Sequence, residues 1–528
     1  MRGYFSMILH AHLPYVRHPE YEEFLEEDWL YEAISETYIP LLNMFENLTR
    51  DKIPWNITMT MSGTLSNMLN DELLRSRYEV SLNKSLEFCR LEVERLKDQE
   101  ELLNVAKFNL NFFKKAKETF LRYNGDLIKA FKKFQDNGNL EIIPVAATHG
   151  FLPFMKDFPE AVNAQIIMAK EDYKNNYGRD PKGIWLSECA YYPGQDKYLE
   201  KNNLKYFIVD AHGIMFSSPK PLYGVYAPVY TSNGVAAFAR DLESSEQVWS
   251  SEIGYPGDGT YREFHKDAGY ELDYDYVKPF LHSDGVRRNI GIKYYAITDK
   301  NSGEKRVYNP EAAHNKAKDH ARDFVNNRSK QIGYLKSLMR MRDPIVVSPY
   351  DAELYGHWWF EGPVFLEWVF RYMKDSDFKS ITPSRYLDKY KVNQIVDVNL
   401  SSWGANGYYD VWLDERNDYV YRHLHKAAQK MIELANGRDP ESELEKRALN
   451  QAARELLMAQ TSCWEFIMYT ETMVGYAKKK ISDHINRLYK IYEDFKGQTL
   501  EEEWRSEIES RDNIFPTMNY SIYKSERL

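Results

Sequence analysis

The stretch Pro344–Pro363, PIVVSPYDAELYGHWWFEGP, decides the fold. Its first residues, Ile345-Val346-Val347, form an apolar, β-branched run that predicts a buried strand. The strand then releases two carboxylates, Asp351 and Glu353, followed by His357 and the pair Trp358–Trp359. A strand that ends in polar and titratable side chains beside aromatic rings fits a β/α barrel, where reactive groups gather at strand C-termini. The helical pattern of Lys316–Met341 leads into this strand.

Moving outward, the same arrangement recurs. Phe5–Leu9 predicts a strand ending in His10-Ala11-His12. Residues i and i+2 of a strand point to one side, so both histidines can face one pocket. They read as substrate-facing side chains, with a metal pair or plain loop histidines as the alternatives. Trp55–Thr60 predicts a second strand, and Leu140–Ala146 a third that ends near His149. Gly183–Leu186, carrying Trp185, is the fourth and leads into Ser187-Glu188. Tyr206–Val209 is the fifth, ending in Asp210, and a last strand falls within Phe378–Leu400.

Between the second and third strands, residues 65–137 are charged and helical in period, a helical excursion that reads as a lid or a subdomain. Residues 217–290 are rich in Pro, Gly and Tyr and include Arg262; they read as a loop-rich insertion decorating the barrel. After the loop Ser401–Asp414, with Trp403, the chain turns helical and is broken at Gly437–Pro440. The expected architecture is α/β: a barrel over 1–400 with the helical excursion, and a C-terminal all-helical domain over 401–528 that contributes to the active-site mouth.

The 528 residues exceed one core, so two or three domains are expected. Apolar residues at 43% and a mean hydropathy of −0.61 describe a globular chain, and no apolar run approaches the ~18 residues of a membrane span. The net charge of −10 opposes nucleic-acid binding, which needs a basic face. Cys89, Cys189 and Cys463 are too scattered for a disulfide framework or a zinc site, and reduced cytosolic thiols are expected. A strand that starts within the first residues argues against a cleaved leader, so the protein reads as cytoplasmic. Aromatics reach 15%, with 40 Tyr and 11 Trp, which suits stacking on pyranose faces as well as ordinary cores.

Cleaving a glycosidic bond with retention takes two carboxylates about 5 Å apart, a nucleophile and an acid that later serves as base. Glu188 and Asp351, remote in sequence, meet this need if a barrel gathers their strand ends. The acid must hold its proton near neutrality, which burial against Tyr350, Trp358 and Trp359 would promote; the same rings also suit core packing. His10, His12, His149 and His357 can donate to sugar hydroxyls. Spacing alone leaves open which carboxylate does what.

The ordered segments HAHLPYVRHP (10–19), ATHGFLP (147–153), GIWLSECAY (183–191), YDAELYGHWW (350–359), SSW (401–403) and CWEF (463–466) resemble the motif set of glycoside hydrolase family 57. They span nearly the whole chain and are most similar to the group of α-amylases and α-glucan branching enzymes. The resemblance implies an incomplete (β/α)7 barrel, a retaining mechanism on an α-glucan polysaccharide, and no metal or other cofactor. It implies Glu188 as nucleophile and Asp351 as general acid/base, with His10, His12 and His149 around the cleaved glucose. Trp403 and Arg262 become contacts in the mouth; Trp185, Asp210, His357, Trp358, Cys463 and Trp464 complete the substrate-binding set.

One departure stands out. Branching-type relatives carry Asp before the last motif's Trp, and this chain has Cys463, whose thiol is a weak partner for a sugar hydroxyl. The covering region Tyr223–Gln247 also looks short. Both features point to α-amylase-like hydrolysis with some transfer, ahead of α-1,6 branching. A metal-dependent deacetylase using His10, His12 and Asp351 as ligands is the remote alternative.

Overall fold

The computed structural model describes residues 2–250, 253–298 and 304–525. Its strands are β1 (Gly3–Ala11), β2 (Ile57–Met61), β3 (Leu140–Pro144), β4 (Gly183–Ile184), β5 (Tyr206–Val209), β6 (Val229–Tyr230), β7 (Ala236–Ala239), β8 (Ile345–Asp351) and β9 (Phe378–Ser380). Every residue of β1 is buried, as a parallel strand covered on both faces must be, which is why GYFSMILHA reads as a nearly unbroken apolar run.

Seven strands run parallel in the order β8-β1-β2-β3-β4-β5-β7. The step from β3 to β4 is carried by a Val145–Trp185 bridge, in which Trp185 N–H donates to the Pro144 carbonyl at 2.9 Å. Between β7 and β8 there is a bond from Asp241 N–H to Val347 O at 2.8 Å but no ladder among the described residues. The result is the incomplete (β/α)7 barrel. β6 pairs antiparallel with β7, and β9 pairs parallel with the first residues of β1.

β7 corrects the sequence reading, which took the whole of 217–290 as decoration. The segment Val235-Ala-Ala-Phe-Ala is wholly buried and supplies a barrel strand. The other expected strands are present, and the helical excursion consists of Gly63–Asn70, Glu72–Arg95, Glu100–Arg122 and Leu127–Asp136. Ser62, Asp71 and Asp126 cap three of these helices by accepting a backbone N–H. Beyond residue 420 the chain forms helices Tyr421–Asn436, Glu443–Ala459, Cys463–Thr470, Val474–Gly497 and Glu502–Arg511. Among the described residues, no helix is long and apolar enough to cross a membrane.

Register fixes what faces what. His10 on β1 lies opposite Thr60 on β2 and Asp351 on β8. The turn between helices Glu443–Ala459 and Cys463–Thr470 seats on the end of β3: Ser462 N–H donates to the His149 carbonyl at 3.1 Å, and Gly150 bridges Thr461. A π-helical turn, Ile34–Tyr38, backs the loop that follows β8. Gly356 makes that close approach possible, because its φ is +123° and a Cβ there would lie 1.8 Å from the Glu36 carbonyl oxygen. Gly356→Ala is therefore expected to destabilise the protein by about 2–3 kcal/mol and to lower activity more steeply than stability, measured by thermal unfolding beside turnover. A variant of parental stability would show that the contact is dispensable.

Candidate active site

Glu188 sits in a short 3-10 turn, Ser187–Cys189, just past β4. Its backbone is left-handed (φ 61°, ψ 25°), as is that of His149 (φ 62°) past β3. Such conformations cost a non-glycine residue of order 1 kcal/mol or more and persist where surrounding contacts impose them. Trp403 imposes this one twice: its backbone N–H donates to the Glu188 carbonyl at 3.0 Å, and its indole Nε1–H donates to Glu188 Oε2 at 2.7 Å. Ser462 Oγ, at 3.5 Å, and His149 Nδ1, at 3.7 Å, approach Oε1.

The histidines form a layered wall. His10 Nδ1 contacts Thr60 Oγ1 at 2.7 Å, and His10 Nε2 faces His149 Nε2 at 3.1 Å, so one of these two rings donates. His149 Nδ1 meets Ser462 Oγ at 2.8 Å. The rings of His12 and His149 stack at 4.0 Å, and those of His10 and Trp185 at 4.7 Å. Burial, reinforced by the neighbouring imidazoles, lowers the pKa of His10 and His12, and burial brings His149 down to about 3. All three rings are neutral at pH 7 and can both donate to and accept from hydroxyls.

Asp351 is the last residue of β8, in register with His10. Burial raises its pKa well above the ordinary value, and the carboxylates of Glu353 and Glu188 push it further. Burial also brings Glu188 up to about 7, against the pull of the Trp403 and Ser462 hydrogen bonds. The two groups share one electrostatic environment, and donors favour the charged form of Glu188 alone. Hydrogen-bond donors that favour a carboxylate thus serve Glu188 and not Asp351, an asymmetry of the kind that separates a nucleophile from an acid.

Glu353, absent from the expected substrate contacts, belongs to this group. It accepts from Tyr38 Oη at 2.5 Å and from the backbone N–H of His12 at 3.3 Å, and burial raises it to about 7. It ties β8, the π-helical turn and the end of β1 together around Asp351. Glu353 stands in the opening motif and was legible there; Tyr38 and Ser462 carried no signal of their own.

Several expected substrate contacts prove to be supports. The Arg262 guanidinium is buried, lies 3.6 Å over the Phe360 ring and donates to Glu36 Oε1 at 2.8 Å. Glu36 also meets His357 Nδ1 at 2.7 Å; burial opposes its ionisation, but Arg262 and His357 hold it down to about 2. This ion network fastens the loop 357–361, so Arg262 acts behind the mouth. Asp210 spends its oxygens on Ala211 N–H at 2.6 Å, His212 Nδ1 at 3.3 Å and Arg240 at 2.6 Å. Trp464 is 1% exposed and donates its indole N–H to the Met458 carbonyl at 3.0 Å, placing it in the core of the helical region. Trp185 is fully buried as the floor beneath His10. Trp358, 45% exposed, stands at the rim 6.3 Å from Trp249, an aromatic the sequence reading did not single out. Cys463 Sγ lies 2.9 Å from His12 Nε2. His10, His12 and Asp351 do not converge as ligands among the described residues, which removes the basis of the deacetylase alternative.

Against known proteins, residues 6–399 match the model of glycosyl hydrolase family 57, and residues 423–523 match that of the C-terminal part of 1,4-alpha-glucan branching enzymes. The 1,4-alpha-glucan branching enzyme TK1436 of Thermococcus kodakarensis is 33% identical over 100% of this chain and 79% of its own length. The structure of the alpha-amylase AmyC from Thermotoga maritima is similar at a TM-score of 0.94, with 43% identity and both chains fully covered. A GH57-type branching enzyme from Pyrococcus horikoshii gives a TM-score of 0.89 and 33% identity, covering 100% of this chain and 98% of its own.

Trp403→Phe removes the donor that favours ionised Glu188. The carboxyl pKa should rise, moving the acid limb of the kcat/KM profile to higher pH, with a roughly 10- to 100-fold loss at neutrality. An acid limb that stays fixed would show that the indole N–H does not control this carboxylate.

Proposed function

Because the chain belongs to glycosyl hydrolase family 57, we propose that it cleaves internal α-1,4 bonds of glucans with retention, chiefly by hydrolysis. The observation that carries this reading is that Glu188 and Asp351 converge on one histidine cluster, Asp351 in register with His10 and Glu188 beside His149, with hydrogen-bond donors on Glu188. Ionised Glu188 attacks the anomeric carbon while Asp351 passes its proton to the departing oxygen. This forms a glycosyl ester on Glu188 and frees the shortened glucan. Asp351, now ionised, takes a proton from water as that water attacks the same carbon; the ester breaks and both carboxyls return to their starting states. The neutral histidine wall receives the sugar hydroxyls, and Trp358 offers a ring to a neighbouring glucose. Within this reading, the barrel ends near residue 400, and the helical region completes the pocket with Ser462 and Cys463.

Water and a glucan 6-hydroxyl compete for the glycosyl ester. Transfer needs an oriented acceptor and excluded water. The thiol of Cys463, already against His12, offers an acceptor hydroxyl little grip. Branching is the second reading, favoured by the match of residues 423–523 to the branching-enzyme C-terminal model.

On amylose, new reducing ends are expected to outnumber new α-1,6 linkages; a majority of α-1,6 linkages would replace the first reading with the second. Glu188→Ala should lose several orders of magnitude in turnover, and added azide should restore turnover as a glycosyl azide of inverted configuration. Azide that rescues Asp351→Ala with inversion and leaves Glu188→Ala inactive would exchange the two roles.

A further inference from the structure

We propose that His12, His149 and Cys463 form a binding site for a thiophilic divalent cation such as zinc, and that a cation held there competes with the sugar for the catalytic pocket. The ligand atoms of the three side chains all lie within 4.8 Å of one another, although the residues come from three distant segments of the chain. His12 Nε2 and Cys463 Sγ are 2.9 Å apart. Zinc bonds of about 2.0–2.1 Å to nitrogen and 2.3 Å to sulfur put the donors of a tetrahedral site about 3.3–3.8 Å from one another. Because the His12 and His149 rings stack nearly parallel at 4.0 Å, binding also requires one imidazole to turn out of the stack and aim its nitrogen at the ion.

The surroundings orient two of the donors. His149 Nδ1 meets Ser462 Oγ at 2.8 Å, which leaves its Nε2 to exchange the contact with His10 for the cation. His12 Nδ1 lies 3.4 Å from Thr64 Oγ1, with its Nε2 directed at the thiol. Hydroxyl partners of this kind fix the tautomer of a metal-bound histidine. Two imidazoles and a thiolate suit zinc, cobalt or cadmium better than magnesium or calcium. Three protein ligands leave a fourth position for water.

Binding would exchange the S–H bond of Cys463 for a sulfur–metal bond and release one proton to solvent, with no change of oxidation state. The thiol is thus the feature that distinguishes this pocket: a carboxylate before Trp464 would give a harder site of lower affinity for such ions. The cation site itself does not depend on the proposed glucan reaction; only the competition does.

Cobalt(II) titrated into the full-length protein is the direct test. One equivalent is expected to produce a thiolate-to-cobalt charge-transfer band, with about one proton released per ion. In Cys463→Ser the band should be absent, and in His12→Ala the affinity should fall at least about tenfold. Absence of the band in the parent, or its survival in Cys463→Ser through Cys89 or Cys189, would overturn the site. A maltooligosaccharide should displace cobalt from the parent protein, and zinc should raise KM for glucan with little change in kcat. Cobalt binding that is blind to saturating oligosaccharide would overturn the competition, and would do so without reference to turnover.

Discussion

The parallel pairing of β1 with β8 is the constraint on which the site depends. It sets His10 beside Asp351 in register, and the pairing of β1 with β2 sets the same histidine beside Thr60. Side chains alternate along a strand, so a slip of one residue would turn His10 into the wall of the barrel and carry Asp351 out of reach. Burial of all nine residues of β1 prevents that slip, because each alternative register would place His10 against the hydrophobic packing around the barrel. The sheet thus determines the positions of two groups before any loop contributes.

Desolvation then acts on every carboxyl of the site, and hydrogen-bond donors differentiate them. The carboxyls of Glu188, Asp351 and Glu353 all sit where burial disfavours charge. What separates them is the supply of donors: an indole and a hydroxyl for Glu188, a phenol and a backbone amide for Glu353. The left-handed backbone at residue 188 is part of this arrangement, since it turns the side chain toward Trp403 from a strand that has already ended. Charges that matter elsewhere are neutralised behind the pocket, in the Arg262–Glu36–His357 network, where they stiffen the rim without competing for substrate.

Much of this is legible in the primary structure, and the failures have physical causes. Strand ends advertise themselves, because an apolar run followed at once by His10, His149, Glu188 or Asp351 has a simple geometric meaning. β7 escaped because Ala236–Ala239 is short, largely alanine and without alternation, and lies among Gly- and Pro-rich turns. Trp464 was grouped with its neighbour Cys463 as a substrate contact, but only Cys463 meets His12. Adjacent helical residues diverge by about 100°, so one can face the pocket while the other enters the core. Arg262 lies in an irregular segment with no period to give its direction, and Tyr38 belongs to a π-helical turn, which ordinary spacing rules do not anticipate. The long-range partners of Glu188 could come only from the fold, since Trp403 and Ser462 are brought to it by separate parts of the chain.

The seat of the 460–463 turn on the end of β3 has a wider consequence. Ser462 and Cys463 are supplied by the helical region, while His12, His149 and Glu188 come from the barrel. Neither portion owns a complete pocket, so the two are bound to a common ancestry: a chimera that grafts a relative's tail onto this barrel would rewrite the inner wall of the cleft as well as its periphery. Divergence in acceptor choice within such a lineage can therefore originate in a region that carries none of the reacting carboxylates.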